Sequence, residues 1–142
     1  MNIQSDSWYR VTVRIASDLL DPSEIGRALQ LRPTFEKRKG EFVDAIADGS
    51  RYATNLWGLT YTKDDSVPFE EQLEGLLDQL DQRSSAVRAL LASPGVDAEL
   101  FLGLGYSGPH GGMSLSPPLV RRIANLGFSI QLDLYRSPEA GD

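Results

Sequence analysis

The segment AELFLGLGYSGPHGGMSLSPPLVRRIANLGFSIQLDLY, residues 98–135, decides the fold predicted for this chain. It begins with an apolar run over 98–106 and a glycine-rich connection, continues with a helix opened by Ser116 and two prolines, and ends with an alternating run over 128–135. Apolar runs bounded by turn residues are typical of strands, and proline suits the first turn of a helix. The segment therefore predicts strand, loop, helix and strand in that order.

The first half of the chain adds further elements. Residues 9–15 alternate between apolar and polar side chains, which predicts a strand with one covered face. A capping pattern that begins at Asp21 opens a short helix, which is expected to end near Leu31. The longest helical signal covers 66–92, either as one helix or with a break near Arg83, where apolar residues are missing.

Strands are predicted at 8–16, 34–39, 55–62, 97–106 and 128–136, with helices between them. This order matches the split βαβ plan of ferredoxin-like folds, a βαββαβ core, here extended by a C-terminal helix and strand. We expect a single α+β domain over residues 1–142, with an ordered core at 8–136 and a mainly antiparallel sheet that carries its helices on one face. Both ends of the chain show a strand followed by a proline-opened helix, which leaves an internal duplication open.

Composition narrows the classes of function. The chain has 142 residues, no cysteine and a net charge of −6. The lack of cysteine excludes disulfides, thiolate metal ligands and cysteine nucleophiles, and we predict no cofactor and no metal. The acidic balance disfavours nucleic acid, which is bound largely by neutralising phosphates with Lys and Arg. No apolar run reaches the roughly 20 residues of a membrane span and no signal-like segment is seen, so no membrane association and a cytoplasmic location are expected.

Six short segments, taken in order and spacing, resemble the bacterial family called domain of unknown function 4279. They are LDPSEI (20–25), RPT (32–34), RKGE (38–41), LWGL (56–59), MSLSP (113–117) and LGF (126–128). The resemblance extends over roughly residues 8–135 and rests on order and spacing. It implies no activity and no catalytic residues, and His110, Asp18 and Asp133 do not belong to its pattern.

Residues 103–108 read GLGYSG, which has the spacing of a dinucleotide-binding loop. In such a loop a helix opens at the third glycine, whereas here further residues intervene before the helix at Ser116. The first two glycines also lie inside a predicted strand. We therefore interpret Gly103 and Gly105 as positions where another group packs close to the strand, or where the sheet bends.

The glycine-rich loop over 107–118 supports one alternative function. It leads to a helix N-terminus, where unpaired amides can hold an anion. A small enzyme or ligand-binding protein would use this loop, together with Arg121 or Arg122, to hold an anionic substrate. A flexible, solvated loop explains the same sequence without chemistry. The loop residues concerned are His110, Gly111, Gly112 and Ser116.

The open face of the sheet supports the leading hypothesis, because strict alternation sends apolar and polar side chains to opposite faces. The residues assigned to the core are Val11, Val13, Ile15, Ile130, Leu132 and Leu134. Those assigned to the open face are Arg10, Thr12, Arg14, Gln131, Asp133 and Tyr135. Arg and Tyr are enriched among interface anchors, so Arg10, Arg14, Asp133 and Tyr135 are the binding candidates. If the first and last strands are neighbours, one arginine pairs with Asp133.

The sequence thus favours a non-enzymatic cytoplasmic binding module with a protein partner. By analogy with bacterial immunity-type proteins, its acidic charge would steer a basic toxin. A homodimer through a sheet edge is a further prediction, whereas the basic residues of 34–39 would deter pairing at their own edge. An ordinary solvated sheet face is the alternative to a recognition surface.

Overall fold

The computed structural model describes residues 7–43, 49–108 and 112–136, and it shows an α+β fold with one open five-stranded sheet. The strands are β1 (Trp8–Ser17), β2 (Phe35–Lys37), β3 (Asn55–Thr60), β4 (Val96–Tyr106) and β5 (Ser129–Arg136). The helices are α1 (Pro22–Leu29), α2 (Phe69–Asp81), α3 (Ser84–Leu91) and α4 (Pro117–Leu126). The predicted strands and the predicted order of elements are confirmed.

The strand order in the sheet is β2-β3-β1-β4-β5. All neighbours are antiparallel except β4 and β5, which run parallel. The first four strands, with α1 before β2 and the pair α2 and α3 before β4, have the split βαβ arrangement of ferredoxin-like folds. Parallel neighbours need a crossover connection, and α4 supplies it between β4 and β5. The predicted α+β, mainly antiparallel class is confirmed.

The core lies between the helices and one face of the sheet. Val11 pairs with Leu102 and Val13 with Leu100, so the aliphatic side chains of β1 and β4 project on the same side. These side chains and the apolar stripes of all four helices form one buried cluster. Trp57 of β3 is fully buried in that cluster.

The predicted burial of the aliphatic side chains in the last strand is wrong. Leu132 pairs with Leu102, so these side chains do lie on the helix-facing side, as alternation predicts. However, the exposed fractions are 38% for Ile130, 55% for Leu132 and 61% for Leu134. Since β5 is the edge strand, the described helices bury the central strands and leave this stripe uncovered.

The helix starts follow the predicted chemistry only in part. Asp21 caps α1, accepting a hydrogen bond from the backbone amide of Ser23 at 3.0 Å. The predicted cap of α2 at Ser66 is not found, because α2 begins at Phe69 and Ser66 donates instead to Asp64 in the preceding turn. Ser116 precedes α4 as predicted, but its side chain makes no capping hydrogen bond.

The long helical segment breaks where its apolar pattern is interrupted. Helix α2 ends at Asp81 and α3 begins at Ser84, so of the two alternatives the break near Arg83 is confirmed. Arg83 itself has φ −121°, outside helical geometry, and its guanidinium donates to the carbonyl of Gln79 at 3.0 Å. The helix therefore stops where no apolar side chain holds it against the sheet.

The two ends of the chain are similar in their helices and different in their crossovers. Helices α1 and α4 both have proline in the first turn, and both end in a left-handed residue, Gln30 at φ 55° and Gly127 at φ 82°. Yet α4 leads to a strand beside β4, whereas α1 leads to β2, which β3 separates from β1. An internal duplication stays a prediction.

One surface ion pair joins α1 to the segment after β2. The Arg38 guanidinium donates to both carboxylate oxygens of Asp21, from Nε at 2.8 Å and from Nη2 at 3.0 Å. These hydrogen bonds, followed by those from Ser23, hold the pKa of Asp21 well below its usual value of 3.8. Two of the segments that carry the family resemblance, LDPSEI and RKGE, therefore meet through this pair.

A buried leucine and an exposed one should respond differently to truncation. Leu102 is fully buried, so Leu102→Ala is expected to lower the free energy of unfolding by about 2–5 kcal/mol. Leu19 is 73% exposed, so Leu19→Ala is expected to change it by less than about 0.5 kcal/mol. Urea denaturation of both variants measures the difference, and equal losses would contradict the described core.

The contribution of Asp21 to stability should depend on pH. Because its pKa is lower in the folded than in the unfolded chain, the stabilisation is complete above 3.8 and declines as the pH falls below that value. Asparagine still caps a helix but carries no charge for Arg38. We therefore expect wild-type protein to have a higher Tm than Asp21→Asn at neutral pH, and the gap to narrow below pH 3.8.

Circular dichroism melts over a pH series measure this gap. Asp18→Asn is the matched control, since Asp18 is an exposed carboxylate with no ion pair to the described residues. The difference in Tm between Asp18→Asn and wild type should be small at every pH. A gap for Asp21→Asn that does not change with pH would contradict the role given to the ion pair.

Candidate functional site

The side of the sheet opposite the helices carries the candidate site. On β1 the even-numbered side chains project there, and Thr12 lies opposite Phe101 of β4 and Thr60 of β3. Tyr135 of β5 lies opposite Gly105 of β4 and so shares this face. We call the group the open-face cluster. Its members are Trp8, Arg10, Thr12, Arg14, Phe101 and Tyr135.

Glycines in the strands leave room for aromatic rings on this face. The Trp8 ring lies against Gly105, where an added Cβ would come within 2.0 Å of the indole. Trp8 also contacts Tyr135, with 5.5 Å between the ring centroids. At Gly103 a Cβ would meet its nearest neighbours at 3.6 Å, an ordinary contact. The prediction that another group packs close to the strand at these glycines is thus confirmed at Gly105.

Arg14 has a defined orientation with donors to spare. Its guanidinium carbon lies 3.9 Å from the centroid of the Phe101 ring, in cation–π contact. Its closest ion pair is long, at 3.8 Å from Nη1 to Glu99. Its Nε is buried and has no hydrogen-bond acceptor among the described residues. The side chain as a whole is 35% exposed, so a carboxylate or carbonyl of another molecule could bind the terminal nitrogens of this guanidinium without displacing a strong internal partner.

Arg10 is already engaged within the chain. Its guanidinium donates to Asp65 at 2.5 Å and to the carbonyl of Tyr9 at 2.8 Å, and it lies 5.3 Å from the centroid of the Trp8 ring. Asp65 precedes α2, so this ion pair fixes the start of that helix against the edge of the open-face cluster. Arg10 consequently has a positioning role here, and Arg14 is the better anchor.

Asp133 pairs with its neighbour on the same strand. The hydroxyl of Tyr135 donates to the carboxylate of Asp133, and this hydrogen bond raises the pKa of Tyr135 above its usual value of 10.0. The conditional pairing of Asp133 with an arginine of β1 does not form, because β4 separates β1 from β5. The four predicted binding residues do share one face, but they form three separate contacts.

The centre of this face is covered by its own side chains. The hydroxyls of Thr12 and Thr60 share a hydrogen bond of 2.8 Å. Thr12 is only 6% exposed although no described helix lies over it. The rings and guanidinium groups around it exclude water, as they do at the centre of an interface.

Two cavities meet at Arg14. One, of about 260 Å³, lies within the open-face cluster and reaches Phe35 and Lys63. The other, of about 680 Å³, lies where β4 extends beyond the start of β5 and is lined by Asp97 and Glu99. Arg14 lines both, so a ligand or partner in either cavity would meet this residue.

Only part of the glycine-rich loop over 107–118, the alternative binding site, lies within the described residues. His110 and Gly111 lie outside the described residues. The carbonyl of Gly112 accepts a hydrogen bond from the Tyr9 hydroxyl at 3.2 Å. Arg122 donates to Asp78 and to Asp81, both at 2.7 Å, so this predicted substrate-binding cation already holds two carboxylates. Binding of an anion by this loop stays a prediction.

Trp8 and Phe101 were not among the binding residues predicted from the sequence. Alternation assigns both side chains to the open face. Trp8 is even-numbered like Arg10 on β1, and Phe101 lies between the core residues Leu100 and Leu102 on β4. Phe101 belongs to a continuous apolar run, where alternation is hidden because both faces carry large apolar groups. For Trp8, the signal in the sequence was the glycine at 105, which leaves room for a large ring on the neighbouring strand.

Among residues 7–43, 49–108 and 112–136, no group of three or more acidic or histidine side chains is placed to hold a metal ion. Within the same ranges, no helix combines the length and the apolar character that crossing a bilayer requires.

These features define an α+β domain with a ferredoxin-like core, an appended parallel edge strand and one uncovered sheet face. The model of the family described as Domain of unknown function (DUF4279) matches residues 7–137, and the chain belongs to this family. The resemblance inferred from the six short segments is thereby confirmed. No curated protein matches the chain, and no solved structure matches it.

Filling the space above Gly105 should displace the Trp8 ring. We expect Gly105→Ala to shift the fluorescence of Trp8 toward that of a solvated indole and to cost roughly 1–3 kcal/mol of stability, because a Cβ would overlap the ring. Gly103→Ala is the control on the same strand, with a change below about 0.5 kcal/mol. Trp57 stays buried in both variants, so a change in fluorescence reports on Trp8. Identical spectra for the two variants would contradict the described packing.

Proposed function

We propose that this chain is a non-enzymatic binding module of the bacterial cytoplasm whose open-face cluster docks a protein partner. The observation that carries the proposal is the group of aromatic rings and arginines on β1, β4 and β5 that no described helix covers. Trp, Tyr and Arg are the side chains most often found as energetic anchors of protein interfaces. A sheet face built only for solubility would not need rings packed over glycine.

Within the cluster, the partner contacts are assigned by what each side chain already binds. Arg14 is oriented by Phe101 and has only a long ion pair, so it anchors an acceptor of the partner. Trp8 and Tyr135 pack on one another and present a partly exposed aromatic surface beside it. Thr12 lies beneath these side chains and is shielded from solvent, as residues at the centre of a protein interface are.

The partner is expected to be basic overall. The net charge of −6 would steer a positively charged protein toward this chain and raise the association rate. Bacterial immunity-type proteins, small acidic domains that neutralise basic toxins, are the analogy that fits this charge. Local contact would then be made by the rings and Arg14, whereas the surrounding carboxylates set the long-range attraction.

Site-specific photo-crosslinking in cells followed by titration tests the proposal. A photoreactive side chain replaces Phe101 or Tyr135, with Glu70 on the exposed side of α2 as the control position. The protein captured from the first two positions is identified, purified and titrated against wild type. Arg14→Glu and Tyr135→Ala are each expected to weaken binding by about tenfold or more, whereas Arg88→Glu on α3 changes it by less than about twofold.

The same charge reversal at Arg88 controls for the overall change in net charge. Unchanged affinity for both open-face variants overturns the proposal. So does capture of the same proteins from Glu70 as from Phe101 and Tyr135, because the contact would then not be specific to this face.

A further inference from the structure

The two edges of the sheet have opposite character. At one edge β2 is three residues long, contains Lys37 and is followed by Arg38 and Lys39. At the other edge β5 is eight residues long, contains no proline, and has a single basic residue, Arg136, at its end. Short strands and inserted charges are the usual protection against edge pairing. The β2 edge has both kinds of protection, whereas β5 is long and has a single charge within it, Asp133.

The β5 edge also carries an aliphatic stripe. Ile130, Leu132 and Leu134 lie on the helix-facing side and are 38%, 55% and 61% exposed. Within the described part of the chain, no strand pairs with the outer edge of β5. An open edge with a row of exposed aliphatic side chains is suited to the addition of another strand, which would satisfy backbone groups and bury the stripe together.

We infer that a second copy of this chain occupies this edge, with β5 of one protomer pairing antiparallel with β5 of its partner. A two-fold axis perpendicular to the sheet relates the two strands, so each side chain keeps its face. The aliphatic stripes of the two copies then meet on the helix-facing side. The two five-stranded sheets become one continuous sheet.

Aliphatic pairing and charge together favour one register. With the axis at Leu132, Ile130 lies opposite the second copy's Leu134, and Gln131 lies opposite its Asp133. With the axis one residue further on, the two copies of Asp133 would face each other directly, which is unfavourable. The Leu132-centred register therefore pairs aliphatic with aliphatic on one face and amide with carboxylate on the other, without a like-charge contact among these pairs.

The inference is independent of the proposed protein partner, because it rests on the edge of β5 and not on Arg14. It does change the surface on which a partner would dock. Tyr135 and Asp133 would lie beside the seam, and the open-face clusters of the two copies would form one contiguous surface.

Cysteine crosslinking tests the register directly, since the chain has no cysteine of its own. Leu132→Cys is expected to form a covalent dimer under mild oxidation, because directly opposite residues lie about 4.5–5.5 Å apart between Cα atoms, within disulfide range. Ile130→Cys alone should not crosslink, whereas a mixture of Ile130→Cys and Leu134→Cys should. Failure of Leu132→Cys, or of the mixture, overturns the register.

Sedimentation of the 142-residue chain tests the dimer without a crosslink. Wild type is expected at twice the 15.6 kDa chain mass, and Leu132→Arg at the single-chain mass. Leu19→Arg, the same change at a leucine that is 73% exposed and remote from β5, is expected to stay dimeric. A wild type that sediments as the single chain overturns the inference, as does a Leu132→Arg variant that remains dimeric.

Two gentler substitutions keep the test valid if Leu132→Arg fails to fold. In the Leu132-centred register Gln131→Lys places a cation opposite Asp133 of the second copy, and is expected to lower the dimer Kd by about fivefold. Gln131→Glu should raise it by about the same factor. Equal Kd values for the two variants would contradict the register, because residue 131 would then not face a carboxylate.

Discussion

The antiparallel pairing of β1 with β4 is the constraint on which the rest of the structure depends. It extends from Trp8 opposite Gly105 to Ser17 opposite Val96, at the centre of the sheet. In this register the aliphatic side chains of both strands project toward the helices, and the Trp8 ring meets a glycine on the other side. A slip of one residue would exchange the two faces of the slipped strand and destroy the core and the open-face cluster together.

Local patterns predicted the elements well, and the reasons are visible in the structure. Alternation marks β1 because one of its faces is buried and the other is polar, and the break near Arg83 coincides with the only gap in a long apolar pattern. Alternation also assigned Leu132 to the helix-facing side correctly, but its burial was predicted wrongly. A pattern identifies which face a side chain takes, whereas burial depends on which helices reach over that strand, and this is a property of the assembled fold.

The candidate site was predictable to the extent that it depends on the alternation of side chains between the two faces of each strand. Arg14 and Tyr135 follow from alternation alone, and the structure places both on the open face. The partner of Arg10 did not follow, because Asp65 lies in a loop 55 residues away and no strand register relates the two. The aromatic contribution of Phe101 was hidden within an apolar run. Contacts between distant segments thus determine which of the two half-buried arginines is engaged and which is available.

The placement of β1 has a consequence for the synthesis of the chain. β1 is among the first described residues to leave the ribosome, yet its two neighbours in the sheet are β3 and β4, and β4 ends only at Tyr106. The central strand therefore has no partner until β3 has been made and only one until β4 has been made, so Val11 and Val13 stay incompletely covered during that time. Until β3 is made, α1 is the only described helix that can form from local contacts, so cotranslational binding of a chaperone would act on the apolar face of β1 before this strand has a partner in the sheet.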